Sequence, residues 1–213
     1  NASLQFYLGG RRPGQMSELD ELYFKTFSSG FRGLSVPIEP TLARMNWDDA
    51  LPYRDTWLGG GYTGFNFGPY VGVRGFYLQS MEDGNINLDF DVLKMYGGEV
   101  RMKLNVSNGL TPYLMVGGGY INVGDNYIPK DSIAAESQAF ALGGIGMNLP
   151  LSKNFKIFGG VRANLTSNQN AEDIATTDDI QTSWMYSFGL NLTLGKKADD
   201  PTNLVNSELA AAV

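Results

Sequence analysis

The sequence predicts an all-β chain folded as an eight-stranded antiparallel up-and-down transmembrane β-barrel. Two long alternating segments and the spacing of the turns predict it. In Ile180–Leu194, the even positions read Ile, Thr, Trp, Tyr, Phe, Leu, Leu, Leu, and the odd positions read Gln, Ser, Met, Ser, Gly, Asn, Thr. Successive side chains of a strand point to opposite faces, so one face is oily and the other nearly polar. Strands of soluble domains usually run about 5–6 residues, whereas a tilted membrane-spanning strand needs roughly 9–11. Asp91–Val106 repeats the pattern, with Val92, Lys94, Tyr96, Gly98, Val100, Met102, Leu104 and Val106 on one face and Asp91, Leu93, Met95, Gly97, Glu99, Arg101, Lys103 and Asn105 on the other; Lys94 stands near the outer end, within reach of the headgroups. The connections between such segments alternate long and short, as they do in a meander.

Composition excludes much else. No run of about 18 apolar residues occurs, which rules out a membrane-spanning helix. The 213 residues contain neither cysteine nor histidine. Disulfides, thiol nucleophiles, histidine-based catalysis and most first-row metal sites are therefore absent. We expect no catalytic residue, no metal site and no cofactor. A net charge of −6 argues against nucleic acid. The first residues, Asn1-Ala-Ser-Leu, carry no basic segment followed by an apolar one, so an export signal, if one existed, has been removed.

Taken in order, Ala2–Gly10 is expected as the first strand. Residues 11–54 are expected as a long loop, with Pro13, Pro37, Pro40 and Pro52 and many bulky apolar residues. A connection of that length is usually functional or disordered, and its aromatic content argues against plain disorder. It folds over the barrel mouth, docks on a partner, or supplies an extra hairpin from Leu22–Val36. Seven strands follow. Asp55–Phe67 and Tyr70–Gln79 flank the Gly68-Pro69 turn, and Asp91–Val106 and Thr111–Val123 flank an Asn-Gly turn at Ser107–Leu110. Glu136–Asn148 and Phe155–Thr166 flank Leu149–Asn154, and Ile180–Leu194 closes the series. The short turns fall on the side of both termini, which is periplasmic in outer-membrane barrels, with the longer loops outside. Aromatic residues mark two girdles: Phe67, Tyr70, Tyr113 and Phe155 beside the short turns, and Trp57, Tyr77, Tyr120 and Trp184 near the long loops. Tyr186 and Phe188 join the lipid-facing set. Glycine pairs and triplets within the strands permit strong curvature and leave room for neighbouring rings.

The charges Arg74, Glu99, Arg101, Lys103, Lys156 and Arg162 all lie opposite the apolar faces. In a soluble lipid-binding barrel they would face water; in a membrane barrel they point inward. Eight strands leave an interior filled by its own side chains, and isolated buried charges are very costly. A structural ion network of Arg74, Glu99, Arg101, Lys103 and Arg162 is therefore expected, with Glu99 and Arg162 meeting midway along their strands. An ion-selective pore is the competing reading, and the strand number disfavours it.

After Leu194 the chain continues as a periplasmic tail or linker, 196–213, in which Thr202 or Asn203 could cap a short helix. The eight-strand meander, the charged interior and this tail resemble the OmpA/OmpX-like outer-membrane barrel family. The segments WLGGGYTGFNFGPYVGVRGFY and TPYLMVGGGYINV resemble its Bacteroidetes members. The resemblance covers roughly residues 55–195. It implies a Gram-negative outer-membrane protein with extracellular loops and periplasmic termini, and a non-enzymatic role as anchor, scaffold or complex subunit. Its partners would be outer-membrane lipid or lipopolysaccharide, and outer-membrane or periplasmic proteins docking on 11–54 and 196–213. A small-solute channel and a surface adhesin barrel are the alternatives.

Overall fold

A computed structural model of the protein describes residues 34–67, 70–81, 92–104, 109–130, 134–152, 155–167 and 180–194. They form eight strands: β1 Leu34–Asn46, β2 Thr56–Phe67, β3 Val71–Met81, β4 Leu93–Lys103, β5 Thr111–Val123, β6 Gln138–Pro150, β7 Phe155–Ser167 and β8 Ile180–Leu194. Each strand pairs antiparallel with its sequence neighbours, and β1 pairs with β8 to close the barrel. The starts of β1, β3, β5 and β7 and the ends of β2, β4, β6 and β8 lie at one rim, between strands separated by few residues. The opposite strand ends, separated by more residues in sequence, lie at the other, the long-loop rim.

The first strand differs from expectation. Ala2–Gly10 lies outside the described residues, and the strand that pairs with both β2 and β8 is Leu34–Asn46, inside the stretch expected as loop. The connection from β1 to β2 is therefore 47–55 and not 11–54. Pro37 and Pro40 hid this strand. Proline has no N–H to donate to a ladder and normally argues against an interior strand. The structure accommodates both at a visible cost. Between β1 and β2 the register runs Ser35–Asn66 and then Ile38–Thr63, skipping Val36 and Pro37. Between β1 and β8 it runs Ile38–Leu192 and then Thr41–Gly189, skipping Glu39 and Pro40. Every other register is unbroken. The tail 196–213 lies outside the described residues.

Outward positions carry the oily set. Trp57, Tyr77, Trp184, Tyr186 and Phe188 are exposed on the outer wall, as are Ile38, Val73, Val100, Val116 and Ile145. Phe155, at the start of β7, is partly exposed. Tyr113 departs from the girdle expected of it: its position on β5 faces inward, and it is buried. Inward glycines make room for rings. A Cβ at Gly97 would stand 2.8 Å from Phe76 Cζ, and one at Gly146 would overlap the Tyr113 ring.

The interior is layered. Met45, Leu58, Leu78, Met95, Leu142 and Met185 form an apolar layer toward the long-loop rim. Trp47, Leu51 and Tyr53, from connection 47–55, cap it and are all buried. Trp47 and Tyr53 pack as a tilted pair with centroids 4.4 Å apart, and Tyr53 meets Tyr127 of connection 124–137 edge-on at 6.4 Å.

Candidate functional site

The middle of the barrel holds a chain of alternating charges. β1 supplies Glu39, β3 Arg74, β4 Glu99 and Arg101, and β7 Arg162, each on the inward parity of its strand. Arg74 Nε donates to Glu39 Oε1 at 3.0 Å, and Arg101 Nη1 donates to Glu39 Oε2 at 2.7 Å. Arg101 Nε donates to Glu99 Oε1, and Arg162 Nη1 donates to Glu99 Oε2 at 2.9 Å. The order is therefore Arg74, Glu39, Arg101, Glu99, Arg162, and both carboxylate side chains are fully buried. Buried charges survive only when paired and otherwise hydrogen-bonded, and further bonds serve part of the network, while Arg101 Nη2 and Arg162 Nε have no hydrogen-bond acceptor. Asn191 Nδ2 donates to Glu39 Oε1, and Arg74 Nη2 donates to Asn66 Oδ1 at 2.6 Å.

Aromatic rings complete the enclosure. The Arg101 guanidinium carbon lies 5.0 Å from the Tyr62 ring centre, 5.2 Å from that of Tyr113 and 5.4 Å from that of Phe158. Arg162 lies 5.1 Å from the Tyr62 ring centre. The negative faces of these rings stabilise cations that water does not reach. Arg suits such a site better than Lys because its guanidinium is planar and weakly hydrated.

Of the residues expected in the network, the structure joins Arg74, Glu99, Arg101 and Arg162, and it brings Glu99 and Arg162 into direct contact. Lys103 lies lower, with Lys156, Asn148 and Thr193, around a polar cavity of about 20 Å³ at the short-turn side. That is room for about one water molecule. Glu39, the acid that joins Arg74 to Arg101, was missed with its strand. The three arginines and single glutamate on the recognised strands were the signal, because an interior so unbalanced calls for a further carboxylate. Among the described residues, no group of three ligating side chains could hold a metal ion.

At the long-loop rim, connections 47–55 and 124–137 are tied together. Tyr53 OH donates to Glu136 O, Arg54 N donates to Tyr127 OH at 2.6 Å, and Lys130 N donates to Pro52 O at 3.0 Å. Lys130 also holds the Asp49 carboxyl below the ordinary carboxylate range, across an exposed pair that contributes little to stability. Burial pushes the Tyr127 hydroxyl up, against an opposing effect of the Arg54 amide. A raised folded-state value means the stabilisation is complete below the unfolded tyrosine value, about 10, and is lost as pH rises through the folded one. Iodide quenching of Trp47, in a Trp57→Phe/Trp184→Phe background, should therefore rise with alkaline pH. The rise should shift or vanish in Tyr127→Phe. Quenching that is flat above about pH 10 would contradict this.

Among solved structures, the N-terminal β-barrel domain of Pseudomonas aeruginosa OprF is similar at a TM-score of 0.55 and 18% identity, covering 75% of this chain and 97% of that one. Neisserial surface protein A matches at 0.46 and 13%, covering 75% and 96%. Ail, the attachment invasion locus protein of Yersinia pestis, matches at 0.45 and 13%, covering 76% and 99%. At these identities the likeness is one of fold. No curated protein sequence matches the chain. The family model described as outer membrane protein beta-barrel domain matches residues 29–188, most of the chain and nearly all of the closed sheet. The chain belongs to that family of barrels of the bacterial outer membrane.

Proposed function

We propose that the protein is a non-enzymatic anchor or scaffold of the outer membrane, acting as a subunit of a larger assembly and passing no solute. The filled interior carries this reading. The ion network and its rings occupy the middle, and the apolar layer and the Trp47–Tyr53 cap occupy the long-loop end. The cavity below has a volume of only about 20 Å³. An eight-stranded wall is just wide enough to be filled in this way. The absence of histidine and cysteine supports the non-enzymatic part. We assign the long-loop rim to the extracellular side and both termini to the periplasm, as is usual for this architecture. The glycine-rich segments support a Bacteroidetes origin.

With Leu34–Asn46 built into the wall, the surfaces left for protein partners are 11–33 and 196–213. Deleting either should remove proteins that co-purify in mild detergent, while the heat-dependent gel shift of the folded barrel persists. The same partners recovered after both deletions would reject the scaffold reading. Discrete conductance steps in planar bilayers would revive the channel.

A further inference from the structure

The outer wall is not uniformly covered. Across β7, β8, β1, β2 and β3 lies an open apolar depression of about 680 Å³. Its cause is local sequence. Gly59 has no side chain, and Pro40 contributes only a short ring. Leu42, Tyr77, Phe188 and Leu190 stand around them. Arg44 projects from the same face of β1, two residues beyond Leu42, or about 7 Å along the strand. Its neighbours in register are Trp57 and Tyr186, and its guanidinium carbon lies 5.8 Å from the Trp57 ring centre. Among the described residues Arg44 has no ion pair. An outward cation is costly at the bilayer midplane and tolerable only near an interface, where lipid phosphates lie.

We propose that this face binds one anionic phospholipid-type amphiphile, its phosphate on Arg44 and one acyl chain in the depression. In a bilayer an acyl chain gains nothing by exchanging lipid for an equally apolar wall. Selectivity must therefore come from the shape of the dent and from the pairing of guanidinium with phosphate, which Arg performs through parallel hydrogen bonds. The depression supplies the first and the rim arginine the second. A second copy of the chain would bury Arg44 without an anion, and this disfavours it as the occupant.

Native mass spectrometry of the whole chain, released from mild detergent with either phosphatidylglycerol or a diacylglycerol of the same acyl chains, tests the proposal. A one-to-one phosphatidylglycerol adduct is expected, with the diacylglycerol adduct about tenfold weaker. Arg44→Gln should weaken the phosphatidylglycerol adduct about tenfold, and Arg44→Lys, which keeps the charge but not the parallel hydrogen bonds, should restore only part of it. Gly59→Leu fills the dent and should also weaken it. A Cβ there meets Met81 Sδ at 3.0 Å and Leu42 Cδ2 at 4.0 Å, both on flexible side chains, so the wall has room to fold around it. Gly143→Leu adds the same bulk on β6, where nothing lies within 4 Å of a Cβ, and should leave the adduct intact. The heat-dependent gel shift verifies that each variant is folded. Equal adducts with both lipids, an adduct that survives both Arg44→Gln and Gly59→Leu, or a protein dimer in its place would overturn the proposal.

Discussion

Glu39→Gln is expected to lower the stability of the barrel by about 3–5 kcal/mol, read as the midpoint of urea unfolding in phospholipid vesicles. Glu39 receives Arg74 on one oxygen and Arg101 on the other, and its side chain is wholly enclosed. The wild-type network sets Arg74, Arg101 and Arg162 against Glu39 and Glu99, an excess of one cation; the substitution makes it two. Removing one partner from a buried pair leaves a charge that neither water nor protein compensates, and that penalty exceeds the net worth of the pair. Glu39→Leu combined with Arg74→Leu returns the excess to one cation and fills the space with apolar volume. It should recover more than half of the loss, because apolar replacement of a whole pair is often close to neutral. A Glu39→Gln barrel as resistant to urea and heat as the wild type would show that the network contributes nothing.

Gly144→Ala and Gly143→Ala, adjacent in sequence, should behave oppositely. A Cβ at Gly144 points inward into the backbone oxygen of Val161 on β7 and stands 2.8 Å from Arg162 Cα, so it cannot be admitted without moving a strand. Overpacking of this kind costs about 1–3 kcal/mol, and more where backbone must shift. At Gly143 nothing lies within 4 Å of the added carbon, which points outward. Removing a glycine there should be neutral or stabilise by about 0.4–1 kcal/mol through the unfolded chain. The two unfolding midpoints, measured side by side, decide the matter. Equal shifts would mean that glycine in these strands serves flexibility and not space.

Much of the architecture was legible because a membrane wall writes a period of two over long stretches. Thr111–Val123 and Ile180–Leu194 have the bounds expected of them, and the other recognised strands differ only at their ends. β1 was not legible, for a physical reason. Its outward residues Val36, Ile38, Pro40 and Leu42 alternate with Ser35, Pro37, Glu39 and Thr41, but two prolines outweigh an alternation of such modest contrast. The missed strand carried the missed acid. The ring enclosure of Arg101 was hidden differently: Tyr62, Tyr113 and Phe158 come from β2, β5 and β7, and their meeting depends on the stagger of the closed sheet. No local pattern contains that information. The burial of Tyr113 follows from strand parity, but proximity to a turn had suggested the interface.

Pro40 of β1 leaves a gap in the joint between the first and last strands that a side chain has to bridge. Where the main chain of β1 cannot lace to β8, around Glu39 and Pro40, the link that remains is the carboxylate of Glu39 held by Asn191. That carboxylate is held in turn by arginines from β3 and β4. The one gap in the closing seam is thus bridged by a side chain that is itself anchored across the lumen, which ties the first and last strands to the middle of the wall at that point.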